Sequence, residues 1–336
     1  MRALAVFVPA EKGEEIRRLL RDRGLLLAHL RVLRVKGGLL LAVSDDPDLG
    51  LPLRQADFPE GSSPVRSYKE LIRVPEEVRA HLPASFDVIG DIAILKIPSE
   101  LEDHRLEIGR AILAWNRSLR VVAQDRGVGG PRRVRRIDVI AGENRTTTIH
   151  VEFGLRYQVD VARAYFSPRL ATERKRIADL VGAGETVADP FAGVGPYAIL
   201  IGTRTRAGRV LASDGNPDAV ALLSANVAGN RAGRVTVRAA DARDALRDGA
   251  PVDRVIMDLP HSALDFLPDA VRAVGPRGTV HLYGILGRAE REARSQEVRY
   301  VVEREGRRVT EMKLHTVRAY SPRQDHVAFD LTVDRA

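Results

Sequence analysis

From Ala164 onward, short apolar runs alternate with helical patterns, and successive runs close on an acid. ERKRIADLV reads as helix, ETVAD as strand and PYAILIGTRT as helix. RVLASD and DAVALLSANVAGN repeat the pair, and VTVRAAD, DRVIMDLP and TVHLYGI supply further strands. Such alternation predicts an α/β fold with an open, mostly parallel sheet and helices on both faces. Two late runs, KLHTVRAY and HVAFDLTV, would form its antiparallel edge.

The earlier chain has a different grammar. A strand over Leu4–Val8, a helix over Glu14–Asp22 and a hairpin from Leu27 to Val43, turning at Gly37-Gly38, predict a small α+β module over residues 1–66. Its tail, DDPDLGLPLRQADFPEGSSP, reads as an extended linker. Residues 67–163 predict a second α+β domain. FDVIGDIAILKIP is strand-rich, and SELEDHRLEIGRAILAW is a helix with Ser99 and Glu102 as a capping box. An arginine-rich loop follows, then the strands VRRIDVIAG, RTTTIHVEFG and LRYQVDV. Residues 164–336 make the third domain.

The segment VADPFAGVGP, Val187 to Pro196, is the strongest local signal: an apolar strand ends in Asp189, and a small-residue loop opens a helix. Its glycines allow positive φ and close approach of a ligand, and ligands of doubly wound folds bind beyond the carboxyl ends of the strands. A nucleotide-phosphate turn is an alternative for this loop alone. The following tips discriminate. The next strand ends at Asp214, with Gly215 and Asn216 opening a helix; the third ends at Asp241-Ala242 and the fourth at Asp258. A carboxylate at the second tip can accept from both ribose hydroxyls, and one at the third from an adenine amine. Four acids in register suit a nucleoside carrying an ammonium group and would repel a pyrophosphate. No G-x-x-x-x-G-K-[ST] occurs.

Charge narrows the partner. The 53 basic and 45 acidic residues leave a net +8, and from Arg117 to Arg136 seven arginines stand against a single acid, Asp125. A polyphosphate backbone accounts for that density; solvated loops are the plainer alternative. With no cysteine, disulfides, thiolate nucleophiles and thiolate metal sites are excluded, and no metal ligand set is assigned. No run of eighteen apolar residues offers a membrane span. The apolar stretch at the start is too short for a secretory signal, so a cytoplasmic protein is expected.

The four acidic tips resemble class I S-adenosylmethionine-dependent methyltransferases. YFSPRLATER (Tyr165–Arg174), ADPFAGVGP, SDGNP, VIMDLPHSA and AYSPR (Ala319–Arg323), preceded by IAGENRTTTIHVEFGLRYQVDV, resemble more narrowly the archaeal and eukaryotic tRNA (guanine-N1)-methyltransferases acting at position 37, over roughly Phe86 to Leu331. The resemblance implies a Rossmann-like catalytic domain, S-adenosylmethionine as cofactor, and tRNA as partner with no obligate protein partner. It implies Glu173 as general base and Arg133 as the charge-stabilising arginine. Tyr165, Arg169, Arg174, Asp189, Phe191, Gly193, Asp214, Gly215, Asn216, Asp241, Ala242 and Asp258 would lie about the cofactor. Chemistry agrees, because neutral guanine N1 is a poor nucleophile and its proton must leave while charge on O6 is stabilised. Glu173 could instead pair with Arg176, and Arg133 could bind phosphate or yield its place to Arg132 or Arg135. One residue departs from the family pattern: Asp258 stands where Asn is usual, so the site gains an acceptor-only group that a second nearby acid would push up in pKa.

Rival readings remain at this point. The paralogous aminocarboxypropyl transferase of the wybutosine pathway uses the same cofactor and fold. A non-catalytic RNA-binding protein on this scaffold would bind tRNA without forming product. An adenine methyltransferase is suggested by Asp258-Leu259-Pro260, but the second proline and aromatic of that type are missing.

Overall fold

The computed structural model describes residues 1–59, 66–129 and 134–335. They form two compact units, Met1–Arg73 and Val74–Ala336.

In the first unit, β1 (Arg2–Pro9), α1 (Gly13–Asp22), β2 (Leu33–Val35), β3 (Gly38–Val43) and β4 (Leu53–Asp57) build an antiparallel sheet of order β2-β3-β1-β4. Strand alternation gives the sheet two apolar faces. Val6, Val8, Leu41 and Val43 pack with Leu20 of α1 on one face, while Ala5, Leu40, Ala42 and Phe58 cluster on the other. The hairpin ladder is shorter than expected: Leu33–Val35 pairs with β3, Leu26 meets Val43 as an isolated bridge, and Gly37 takes the positive φ of the turn. The expected linker is corrected too: it contains β4, paired with β1 from Arg2↔Asp57 to Val6↔Leu53. Most of β4 is exposed, so backbone ladder bonds hold it and no apolar period marks it.

The second unit opens with α2 (Glu76–Ala80), β5 (Asp87–Ile89), β6 (Ile92–Leu95), α3 (Arg105–Trp115), β7 (Val121–Gly129) and β8 (Val134–Gly142). Its first sheet has the order β5-β6-β7-β8, and α3 is the crossover between parallel β6 and β7. The capping box does not form. Ser99 bonds Glu100, while the Glu102 carboxylate accepts from Gln124 and Arg126 of β7, and a 3-10 turn over Ser99–His104 precedes α3. The arginine-rich loop is also largely a hairpin. Val121, Val122 and Ala123 are fully buried at the start of β7, and β8 pairs back onto it. A second hairpin joins β9 (Thr147–Glu152) and β10 (Leu155–Asp160).

The remainder runs α4 (Ala171–Leu180), β11 (Thr186–Asp189), α5 (Pro196–Arg204), β12 (Arg209–Asp214), α6 (Pro217–Gly229), β13 (Val235–Ala239), α7 (Ala242–Gly249), β14 (Val252–Met257), α8 (Leu267–Ala273), β15 (Val274–Leu286), α9 (Arg291–Arg304), β16 (Arg307–Ser321) and β17 (Gln324–Arg335). Among the described residues the sheet is seven-stranded, ordered β13-β12-β11-β14-β15-β17-β16. It is parallel from β13 to β15, with β17 and β16 antiparallel at the edge. The expected mostly parallel α/β sheet is therefore present, with the late strands at its antiparallel edge. After β13 the chain returns past β11 to lay down β14, which makes the β11/β14 junction the switch point where such sheets open a crevice. One apolar core runs from Ile92 and Val121 through Tyr157 and Phe166 to Ile199 and Val210.

Candidate active site

A cavity of about 840 Å³ follows the carboxyl ends of the strands. Gly193 lies just past β11, Asp214 ends β12, and Asp241 and Asp258 follow β13 and β14; all four line the cavity. Ile285, His326 and Arg318 continue the lining across β15, β17 and β16, and Asp87, Lys96 and Arg135 supply it from the first sheet of the unit.

The glycine loop after β11 is shaped for close approach. Gly193 and Gly195 have φ of 54° and 94°, where a side chain would be strained, and a Cβ on Gly195 would lie 2.4 Å from Leu223. Asp214 braces this loop: its carboxylate accepts from the amides of Gly193 at 2.9 Å and Asn216 at 2.8 Å. A carboxylate offers about four acceptor sites, so these bonds do not exhaust it. Asn216 caps α6 by accepting from the Asp218 amide, and its own amide donates to the Arg163 carbonyl at 2.7 Å. Asp241 caps α7 through the Arg243 amide. Gly215 and Ala242 complete this wall beside Phe191, whose ring meets Phe266 edge-on at 5.1 Å. The result is an apolar slot rimmed by acceptors.

Asp189 is only 1% exposed and does not line the cavity. Neither oxygen has a well-directed hydrogen bond among the described residues; the Phe191 and Ala198 amides give only weak relief. Burial, reinforced by Asp258 and Asp214, pushes its carboxyl up to about 8. Asp258 sits half-buried in the cavity wall. Burial is the main force pushing it up to about 6; Glu173 adds to this, while Arg174 and Arg318 oppose it. Asp258 and Asp214, on either side of the β11 loop, thus present negative charge to the cavity, with Asp189 buried and mostly neutral behind them. That donor set fits a cationic nucleoside, and S-adenosylmethionine fits it well.

Glu173 lies behind the cavity lining. Its carboxylate accepts from Arg176 at 2.7 and 2.8 Å and from the Tyr283 hydroxyl at 2.7 Å, so the pairing with Arg176 considered from sequence does form. Arg176 also donates to Asp330 at 2.6 Å, and Asp330 accepts from His281, which in turn meets Arg254 at 2.6 Å. Burial keeps His281 neutral-leaning, consistent with Nδ1 donating to Asp330 and Nε2 accepting from Arg254. Arg174 is 2% exposed and spans Glu152 and the Ser167 carbonyl, each at 2.6 Å, with Phe166 beneath it at 5.0 Å.

Of the residues expected about the cofactor, Tyr165, Arg169, Arg174, Phe191, Gly193, Asp214, Gly215, Asn216, Asp241, Ala242 and Asp258 share this one cavity. Asp189 and Glu173 stand behind it. Arg133 and Arg132 lie outside the described residues. Arg135 lines the cavity, 5.7 Å over the Tyr165 ring, and faces Asp87 at 3.5 Å and Asp125 at 3.9 Å. Sequence reasoning missed Arg318 and His326, although AYSPR begins one residue after Arg318.

Residues 148–313 match the TRM5/TYW2 methyltransferase domain, and residues 68–146 match the TYW2 N-terminal domain. The chain is 38% identical to tRNA (guanine(37)-N(1))-methyltransferase Trm5b of Pyrococcus abyssi, covering 98% of this chain and 99% of the relative. The crystal structure of that protein matches with a TM-score of 0.82 over 99% of each chain. A complex of aTrm5 and tRNALeu matches at 0.78, with 31% identity over 98% of this chain and 99% of that one. The tRNA(Phe) (4-demethylwyosine(37)-C(7)) aminocarboxypropyltransferase of Methanocaldococcus jannaschii is 29% identical over 74% of this chain and 98% of its own length.

Proposed function

Because the chain belongs to the TRM5/TYW2 methyltransferase family, we infer that it transfers a methyl group from S-adenosylmethionine to N1 of guanine at position 37 of tRNA. The observation that carries this reading is the row of Asp214, Asp241 and Asp258, at the carboxyl ends of β12, β13 and β14 in one cavity. When bound, S-adenosylmethionine supplies a methyl carbon on a sulfonium, and the sulfur departs as a neutral thioether. Asp214 would accept from the ribose hydroxyls and Asp241 from the adenine amine. Phe191, Gly193, Gly215, Asn216 and Ala242 shape the slot, while Tyr165 and Arg169 order its entrance and the buried Arg174 would lie beside the cofactor. Asp189 lies buried beneath the loop, its carboxyl raised to about 8, and underlies this wall as a mostly neutral group at pH 7.

The guanine N1 lone pair forms the new N–CH3 bond, and the N1 proton must go to a carboxylate. Glu173 and Asp258 together are that base. Asp258 faces the cavity, and Glu173 is held behind it by Tyr283 and Arg176. Burial, with Glu173 nearby, raises the Asp258 carboxyl to about 6, which suits it to take up a proton. Arg133 belongs to the proposal as the cation for the charge developing on O6. Within this scheme residues 1–66 bind outer tRNA, 67–163 form a basic RNA-binding domain contributing to the site, and 164–336 carry the methyl transfer. Among the described residues no helix is long and apolar enough to cross a membrane, and a cytoplasmic location fits an enzyme acting on tRNA.

The match of residues 68–146 to the TYW2 N-terminal domain favours one alternative, aminocarboxypropyl transfer. Purified enzyme should be incubated with donor labelled in the methyl or the carboxyl carbon and with tRNA transcripts carrying guanine or adenine at position 37. Methyl label in 1-methylguanosine, from the guanine transcript alone, is expected. Carboxyl label in the product, or no label, would overturn the assignment.

A further inference from the structure

Four arginines of the described residues line the cavity, and three are neutralised. Arg135 faces Asp87 and Asp125, Arg169 pairs with Asp87, and Arg174 pairs with Glu152. Arg318 has no carboxylate within ion-pairing distance among the described residues. Its Nε is buried without a partner, and its only hydrogen bond there is a long one, 3.5 Å, to the neighbouring Ala319 carbonyl. Its register partner across the β16/β17 ladder is His326, which is 3% exposed, lines the same cavity, and also carries an unpartnered ring nitrogen, Nε2. Burial, with Arg318 close by, pushes His326 down to about 4, so this ring is a neutral polar group at pH 7. Two unsatisfied nitrogens side by side on one wall cost stability unless a ligand meets them.

Sheet order says which ligand. The acceptors suited to ribose and adenine lie over β12 and β13, and the carboxylate-rich switch point lies at β11 and β14. Arg318 and His326 lie on the opposite side of β14, over β16 and β17. A nucleoside donor held at the first end would leave the second end for the acceptor base.

Resting on the proposed methyl transfer, we propose that Arg318 reads the guanine base itself, donating to O6 and N7 opposite the carboxylates that face N1. The guanidinium fork matches that pair of acceptors, whereas adenine offers a donor amine in place of O6. As the N1 proton passes to the Glu173–Asp258 pair and the N1–CH3 bond forms, Arg318 shares with Arg133 the negative charge that collects on O6. His326 supports the same edge as a neutral neighbour.

The test measures binding as well as turnover. Affinities for guanine-37 and adenine-37 transcripts are measured with S-adenosylhomocysteine present, for the wild type, R318M and R318K, together with affinity for S-adenosylhomocysteine alone. The wild type should prefer guanine-37 by about tenfold or more. R318M should compress that preference to within about threefold and slow single-turnover methylation, with cofactor affinity kept, and R318K should recover part of the preference. An unchanged preference in R318M, or a wild type that binds both transcripts equally, overturns the proposal. So does an equal loss on both transcripts, which marks a phosphate contact, or a loss confined to cofactor affinity, which marks a methionine-carboxylate contact. R318K, keeping the charge, answers the question if R318M fails to fold. Should the wild type leave guanine-37 unmethylated, the functional assignment fails separately.

Discussion

Replacing Asp258 by Asn makes the enzyme more stable and slower, and the stability gain has a defined pH window. In the folded protein the carboxyl is raised from 3.8 to about 6, chiefly by burial. Its folded pKa lies above the unfolded one, so its contribution to stability is full below pH 3.8 and is lost as pH rises through about 6. At about 1.36 kcal/mol per unit, the wild type forfeits up to about 3 kcal/mol at neutral pH, which an amide of the same shape would not. Residues 74–336 form one compact unit; for a two-state unit of that length the gain corresponds to about 5 °C in Tm. Calorimetry of the cofactor-free enzyme at pH 4 and pH 7.5 checks this, with Asp258→Asn matching the wild type at pH 4 and melting higher at pH 7.5. The proposed proton-accepting role adds a kinetic consequence: single-turnover methylation at neutral pH falls about 10²-fold or more. Equal Tm differences at both pH values would refute the electrostatic reasoning, and an undiminished rate would remove Asp258 from the base.

Glu173→Gln slows methyl transfer by about 10²–10⁴-fold while S-adenosylhomocysteine affinity, read by calorimetry, stays within about threefold; a matching loss of affinity would make Glu173 a structural residue only. Asp214→Ala weakens cofactor binding by about 10–100-fold, since it removes charge-assisted hydrogen bonds and the brace under Gly193; tRNA affinity measured by filter binding should be nearly unchanged. Glu152→Gln leaves the buried Arg174 guanidinium without its counter-charge, costing about 3 kcal/mol or more, visible as a Tm lowered by about 5 °C. Removing residues 1–66 weakens tRNA affinity more than single-turnover rate at saturating enzyme, and an equal collapse of both would contradict an accessory role.

What this sequence determined by itself was whatever depends on local period and spacing. Strand runs of five or six residues ending in Asp189, Asp214 and Asp258, each followed by a helical pattern, fix the parallel sheet. The carboxyl ends of its strands then become a common rim, because parallel strands all point the same way. The acids on that rim were legible for the same reason. Other features depended on contacts between residues far apart in the chain. β4 carries no apolar period and exists only because β1 offers it a backbone edge, and the Ser99 cap was lost because Arg126 and Gln124 draw Glu102 away. Glu173 is buried behind the cavity by Arg176 three residues on and by Tyr283, 110 residues away. Arg318 looked like any other arginine in an arginine-rich chain, and only the folded arrangement distinguishes it: its neighbours across the cavity found carboxylates and it did not. Whether a charge is neutralised is set by distances in three dimensions, and no spacing along the chain encodes it.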